Sequence, residues 1–117
     1  MKDKIRTLLK ELIDNLINKD YTRIIENKQN GRLSEEEISR AIYEYSRYWD
    51  IEGLITMPPK SEFEKLDLIK ITYPPVYVLH FDLWINGEKS DLTLICDIEI
   101  DKFNNIVRFE IDDIHVM

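Results

Sequence analysis

The first part of the chain repeats its apolar residues at helical spacing. Between residues 5 and 17 they recur every three or four positions: Ile5, Leu8, Leu9, Leu12, Ile13, Leu16 and Ile17. This stripe predicts an amphipathic helix with one face in a core. Tyr21, Ile24 and Ile25 keep the same phase, so we expect a second, short helix that Asp20 caps.

A third helix has its start signals in the sequence. Asn27 to Gly31 forms a polar stop. Ser34 and Glu37 then stand at the spacing of a capping box, and Leu33 and Ile38 flank it as a hydrophobic staple. We expect this helix to end near Tyr48, with these residues buried: Ile38, Ala41, Ile42 and Tyr45. The aromatic residues at its end predict a lid over the core, with a small-molecule pocket as the alternative: Tyr43, Tyr45, Tyr48 and Trp49.

The C-terminal part of the chain alternates between apolar and polar residues, which predicts strands. Leu68–Thr72 is a short strand, and three longer ones follow at 76–85, 90–100 and 106–117. Asn86-Gly87 predicts a tight hairpin between the first two long strands. The core faces are expected to be Tyr77, Leu79, Phe81, Leu83 and Ile85; Leu92, Leu94, Cys96, Ile98 and Ile100; and Val107, Phe109, Ile111, Ile114 and Val116. The shift of phase within the last set predicts a β-bulge at Asp112-Asp113.

Helices followed by a meander of strands indicate an α+β fold, with the helices packed on one face of a curved antiparallel sheet. We expect one domain over residues 1–117, with helices at about 2–48 and a sheet of about four strands at about 67–117. The composition, 44% hydrophobic and 33% charged, is that of an ordinary globular protein.

Charge is distributed unevenly along the chain. Residues 76–117 hold nine acidic and three basic residues, whereas residues 1–75 hold 14 acidic and 13 basic ones. The net charge of −7 argues against nucleic-acid binding and favours a cationic partner. The single Cys96 cannot form an internal disulfide, and no apolar run suits a signal peptide or a membrane span. A cytoplasmic protein without membrane contact is therefore expected.

Alternation gathers many of these acids on the outward side of the strands. Beside them stand apolar residues such as Val78, Trp84 and Ile95, and Ile106 and Arg108 belong to the same face. One interpretation is a contact surface, in which acids steer a basic partner and apolar groups form the desolvated centre. The other is a solvated face with scattered apolar residues. The candidate partner-binding residues are Asp82, Trp84, Asp91, Asp97, Glu99, Glu110 and Asp112.

Other groups of residues carry weaker chemical signals. His80 and Asp82 share a strand face, and with Tyr77 they offer acid–base chemistry, but a structural hydrogen bond is the preferred interpretation. Three further residues offer ligands for a divalent ion without the spacing of a known motif: Asp112, Asp113 and His115. Cys96 lies on an apolar face and is expected to be a core residue. We therefore expect no catalytic residues, no metal and no cofactor.

Three short segments carry a family resemblance. Phe81–Trp84, Ser90–Leu94 and Ile111–Val116 resemble a small bacterial domain of the cystatin-like cone, the fold of the nuclear transport factor two superfamily. The resemblance covers about residues 30–117. It implies a protein of the kind found among immunity proteins beside secreted toxins. It carries over no catalytic residue, because fold alone does not give function.

The expected function is that of an immunity protein, a stoichiometric inhibitor and not an enzyme. Its acidic sheet face would bind a cognate, basic bacterial toxin domain. The alternative is a small cone-fold enzyme or ligand-binding module, with a pocket between helices and sheet lined by His80, Asp82 and Tyr77. A monomer and a homodimer are both compatible with the sequence.

Overall fold

The computed structural model describes residues 2–48, 54–72 and 75–116. Within these ranges the chain forms four helices and five strands: α1 (Lys2–Ile17), α2 (Tyr21–Glu26), α3 (Glu35–Tyr48), β1 (Ile55–Thr56), α4 (Lys60–Glu64), β2 (Asp67–Thr72), β3 (Pro75–Ile85), β4 (Glu88–Ile100) and β5 (Ile106–Val116). The predicted α+β class is confirmed, with N-terminal helices on one face of an antiparallel sheet that remains open. The sheet has five strands, because β1 adds a two-residue strand from the predicted connector.

The helix starts follow the local signals in the sequence. The Asp20 side chain accepts a hydrogen bond from the backbone N–H of Arg23 and so caps α2. Before α3, Ser34 Oγ accepts from the Glu37 N–H at 3.1 Å, and Glu37 Oε1 accepts from the Ser34 N–H at 3.2 Å. This reciprocal pair is the predicted capping box, and it satisfies two backbone donors that the helix leaves unpaired.

Strand β3 has neighbours along both of its edges. On one edge it pairs with β4, and on the other it pairs with β2 over its first half and with β1 at its end. The predicted hairpin joins β3 to β4 through Asn86 and Gly87, whose φ angles of 53° and 80° match the left-handed conformation that tight hairpins require. The N-terminal end of β1 holds this turn, since the Leu54 carbonyl accepts from the Asn86 N–H at 2.9 Å.

The core lies between the helices and one face of the sheet. Phe63 of α4 stacks on Phe81 of β3 with ring centroids 5.2 Å apart. The fully or nearly fully buried apolar residues include Ile5, Leu9, Leu12, Ile13 and Leu16 from α1, Ile38 from α3, and Leu79, Leu83, Leu92, Leu94, Cys96, Ile98 and Ile111 from the sheet. The predicted helical stripe and strand faces therefore meet in one cluster, apart from Val107 and Val116, which are exposed.

Strand β5 contains two bulges, one of which was predicted. Ile111 pairs with Cys96 and Asp113 with Ile95, so Asp112 is an extra residue at the predicted position. The second is at Val107, because Ile106 pairs with Ile100 and Arg108 with Glu99. The predicted faces of Ile106 and Val107 were therefore wrong: Ile106 packs against the core, and Val107 is 57% exposed.

The predicted aromatic lid at the end of α3 is wrong for two of its four members. Tyr43 and Tyr48 are 62% and 80% exposed, and only Tyr45 packs against the core. Trp49 lies outside the described residues.

In the described parts of the chain, no helix is long and apolar enough to cross a membrane.

The loop between α2 and α3 closes on the middle of β5. The Gln29 carbonyl accepts from the Ile111 N–H at 2.7 Å. Gly31 follows with a φ of +57°, and a Cβ placed on it would lie 2.2 Å from the Ile111 carbonyl oxygen. The loop can approach the strand this closely because this position has no side chain.

We predict that Gly31→Ala lowers the free energy of unfolding by about 2–4 kcal/mol, from left-handed strain and a clash with backbone. The matched control is Gly87→Ala, which also has a positive φ but has no atom within 4 Å of its Cβ position. Gly87→Ala should lower the free energy of unfolding by only about 1–2 kcal/mol. Urea unfolding of both variants measures the difference, and equal losses would contradict the close approach at Gly31.

Candidate partner-binding surface

The sheet face turned away from the helices, called the open face below, is built from four cross-strand rows. Direct cross-strand partners share a face, so the strand pairing assigns each residue. The rows are Ile71, Val76, Glu99 and Arg108; Ile69, Val78, Asp97 and Glu110; Asp67, His80, Ile95 and Asp113; and Asp82, Thr93 and His115. One half is thus rich in aliphatic residues and the other half in carboxylates.

The aliphatic half lies on β2 and β3. Ile69 and Ile71 are 47% and 44% exposed, and Val76 and Val78 are half-buried beside them. Ile95, at the centre of the open face, is only 8% exposed although it is outside the core cluster. Neighbouring side chains therefore shield a small apolar centre on the face that the helices leave uncovered.

The acidic half lies on β4 and β5. Its acidic cluster consists of Asp97, Glu99, Glu110 and Asp112. Arg108 lies among them: its Nε is 3.2 Å from Glu99 Oε2, and its Nη1 is 2.5 Å from Glu110 Oε1. The hydrogen bond to Glu110 and then that to Glu99 raise the pKa of the guanidinium, opposed by its partial burial. Arg108 therefore forms ion pairs with two of the four carboxylates.

Asp97 is not one of the two carboxylates that pair with Arg108. It lies directly across from Glu110. Partial burial raises the pKa of its carboxyl, and the nearby charge of Asp112 raises it further, while Arg108 and Arg32 act in the opposite direction. Like charges directly opposite one another destabilise a sheet. This arrangement is therefore a local electrostatic cost to the fold.

The structure brings together four of the seven predicted partner-binding residues, namely the acidic cluster. Asp82 and Trp84 lie farther along β3. Asp82 Oδ1 accepts from the Thr93 hydroxyl at 2.8 Å, and its Oδ2 is 3.8 Å from Lys89 Nζ. The Trp84 Nε1–H is buried and has no hydrogen-bond partner among the described residues.

Asp91 is not where the alternation placed it. Its Oδ1 accepts from the hydroxyl of Tyr45 in α3 at 2.5 Å, on the side that the helices cover. The reason is an irregularity in pairing. Asp82 pairs with Thr93 and Trp84 with Lys89, so residues 90–92 of β4 lie opposite the single residue Leu83 of β3. Burial, followed by the hydrogen bond to Asp91, raises the pKa of the Tyr45 hydroxyl.

The two exposed isoleucines of β2, Ile69 and Ile71, were not predicted, because no face was assigned to this strand from the sequence. The signal was present: in Leu68–Thr72 two isoleucines alternate with Leu68 and Lys70. The pairing sends Leu68 towards the core, beside Leu79, and Ile69 to the open face, beside Val78.

The structure brings the other candidate groups together only in part. Tyr77 and His80 lie on opposite faces of β3, and both Asp82 oxygens are directed at groups other than His80. The His115 Nδ1 is instead 2.6 Å from Asp113 Oδ2. Within the described ranges, no group of three or more potential metal ligands is found. Cys96 is fully buried, and burial raises the pKa of its thiol.

These features define an α+β domain whose uncovered sheet face joins an apolar patch to an acidic cluster. The chain belongs to the family described as Domain of unknown function (DUF7668), whose profile matches residues 13–117. No curated protein matches the chain. Among solved structures, none matches either.

We predict that Asp97→Asn raises the free energy of unfolding at pH 7 by a few tenths to about 1 kcal/mol, the range of cross-strand pairs. The pKa of Asp97 is raised in the folded protein, so its ionised form opposes folding. The gain should shrink as the pH falls through that pKa and vanish about one pH unit below the ordinary aspartate pKa of about 3.9, where the carboxyl is protonated in both states.

Urea unfolding at several pH values measures this effect. Glu88→Gln is the matched control, because it removes the same charge from an exposed site beside the hairpin turn. A loss of stability in Asp97→Asn at pH 7, or an equal gain in the control, would contradict the electrostatic assignment.

Proposed function

We propose that the protein is an immunity protein, a stoichiometric inhibitor that binds a basic bacterial toxin domain through its open face. The observation that carries the proposal is a cluster of four carboxylates in which Arg108 pairs with only Glu99 and Glu110. Asp97 lies directly across from Glu110, and the charge of Asp112 acts on it. Proteins accept such local electrostatic costs at functional sites. A cationic side chain from a partner would relieve the repulsion.

The aliphatic half of the open face supplies the second requirement of a binding surface. Ile69, Ile71 and Val78 lie beside the acidic cluster, and Ile95 lies between the two halves. Interfaces combine a desolvated apolar centre with a polar rim, and the charges of the rim chiefly increase the association rate. The open face has both parts side by side.

A toxin that cleaves nucleic acid is the kind of partner that this charge suits. Such an enzyme approaches phosphate groups and therefore carries a cationic surface. An acidic inhibitor covers that surface and blocks access to the active site. The inhibitor acts in the cytoplasm, where the toxin's substrate lies, and needs no catalytic residue of its own.

A small enzyme or ligand-binding module is the alternative function. One observation favours it: a depression of about 290 Å³ on the open face is lined by His80, Asp82, Lys89 and Glu62 among others. Its polar groups are largely paired with one another, since Lys89 approaches both Glu62 and Asp82. The depression therefore supports the alternative less well than the acidic cluster supports protein binding.

The test uses the purified protein and the basic C-terminal domain of the secreted protein encoded directly upstream. We expect a one-to-one complex that forms rapidly at low salt. The association rate, measured by stopped-flow fluorescence, should fall at least about tenfold between about 50 and 500 mM NaCl. A salt-independent rate, no complex, or an upstream gene without such a domain would contradict the proposal.

A charge-reversal pair locates the binding surface. Asp97→Lys with Asp112→Lys should slow association by on the order of tenfold or more. The matched control is Glu11→Lys with Glu26→Lys, which changes the net charge equally at exposed positions on α1 and α2. Circular dichroism checks folding, and equal effects of the two pairs would place the interface elsewhere.

A further inference from the structure

Strand β5 is an edge strand, and part of its edge has free hydrogen-bonding capacity. The Ile111 N–H points away from β4, because it donates to the Gln29 carbonyl. Pairing with β4 is regular from Ile111 back to Phe109. Since backbone groups two residues apart point the same way, the N–H and C=O of Phe109 also face the free edge. No described residue forms a hydrogen bond with them.

A groove of about 640 Å³ runs along this part of the edge. It lies between Leu8 of α1, the loop at Gln29 and the first half of β5. Gln29 is only 4% exposed. Although its Oε1 is buried, this atom has no hydrogen-bond partner among the described residues. Buried polar atoms are nearly always paired in folded proteins. Gln29, with this unpaired acceptor, and Phe109, with its free backbone groups, therefore line the same groove.

The two sides of the groove differ in chemistry. Glu110 and the acidic cluster lie on the side of the open face, whereas Leu8, which packs against the core, lies on the other side. Exposed Val107 also lines the groove. A strand added beside β5 would direct alternate side chains to these two sides. Cationic residues would meet Glu110 and its neighbours, and the residues between them would meet apolar carbon. Lys28 and Arg108 also line the groove, but Arg108 is already held by Glu99 and Glu110.

We propose that the free edge of β5 at Phe109 binds an extended segment of the basic partner as an added antiparallel or parallel strand, in which cationic and apolar residues alternate. Main-chain hydrogen bonds supply affinity in this mode of recognition, and the alternating side chains supply specificity. The loop that closes on Ile111 limits the site to the first half of β5. This inference rests on the proposed function, since it assigns the partner's mode of binding.

The experiment removes one backbone donor from the full-length protein. The chain has a single cysteine, so residues 96–117 can be synthesised and ligated to residues 1–95 at Cys96. One product carries an N-methyl group on Phe109, which removes the outward N–H and obstructs an added strand. The control carries N-methyl on Lys102, an exposed residue between β4 and β5.

Calorimetric titration with the basic toxin domain compares both products with the unmodified ligated chain. We expect the affinity of the N-methyl-Phe109 protein to fall at least tenfold and that of the control to stay unchanged. Equal affinities would overturn the proposal. Amide hydrogen exchange of the unmodified protein gives an independent result, since Phe109 should exchange more slowly in the complex, and it decides the matter if the N-methyl-Phe109 chain does not fold.

The outcomes separate the two proposals. A complex that depends on salt and on Asp97 and Asp112, but leaves exchange at Phe109 unchanged, would overturn the added strand alone. Failure of the unmodified protein to bind the basic domain would overturn both.

Discussion

Strand β4 is paired along both of its edges, and the rest of the structure depends on that constraint. A strand paired on two sides can direct its side chains only to one face of the sheet or the other. Leu94, Cys96 and Ile98 therefore enter the core, and Ile95 and Asp97 between them are forced to the open face. The same alternation that buries the apolar residues collects the carboxylates.

The open face combines a shielded apolar centre with negative charges that the fold balances only in part. Ile95 is nearly buried by its neighbours, while Asp97 is held opposite Glu110 and near Asp112. The fold itself gains nothing from this second feature, because neutral side chains would complete the sheet at lower electrostatic cost. A partner that supplies positive charge would relieve this repulsion. The bulge at Asp112 adds one more carboxylate beside Asp97.

Features with a local cause were predictable from the sequence. The capping box at Ser34, the turn at Asn86-Gly87 and the bulge at Asp112 each depend on a few adjacent residues, and each is confirmed. The faces of the strands follow from period-two alternation wherever the pairing is regular. This was enough to place the four residues of the acidic cluster together.

The errors have tertiary causes. Asp91 turns towards Tyr45 because three residues of β4 oppose one of β3, an irregularity that no local pattern announces. Val107 is exposed because a second bulge changes its face. Strand β1 forms from two residues that have no strand pattern of their own and are held by the edge of β3. The immunity function suggested by the resemblance stays a prediction, since the description of the family that matches residues 13–117 names no function.

The most direct measurement of the central claim is to map the contact surface by nuclear magnetic resonance. Backbone amide shifts would be recorded for the protein alone and saturated with the basic toxin domain. Our account predicts that the largest changes fall on the open face, at residues 69–71, 76–82, 93–99 and 108–113. Changes centred on the exposed sides of α1 and α3, with the acidic cluster unaffected, would contradict it.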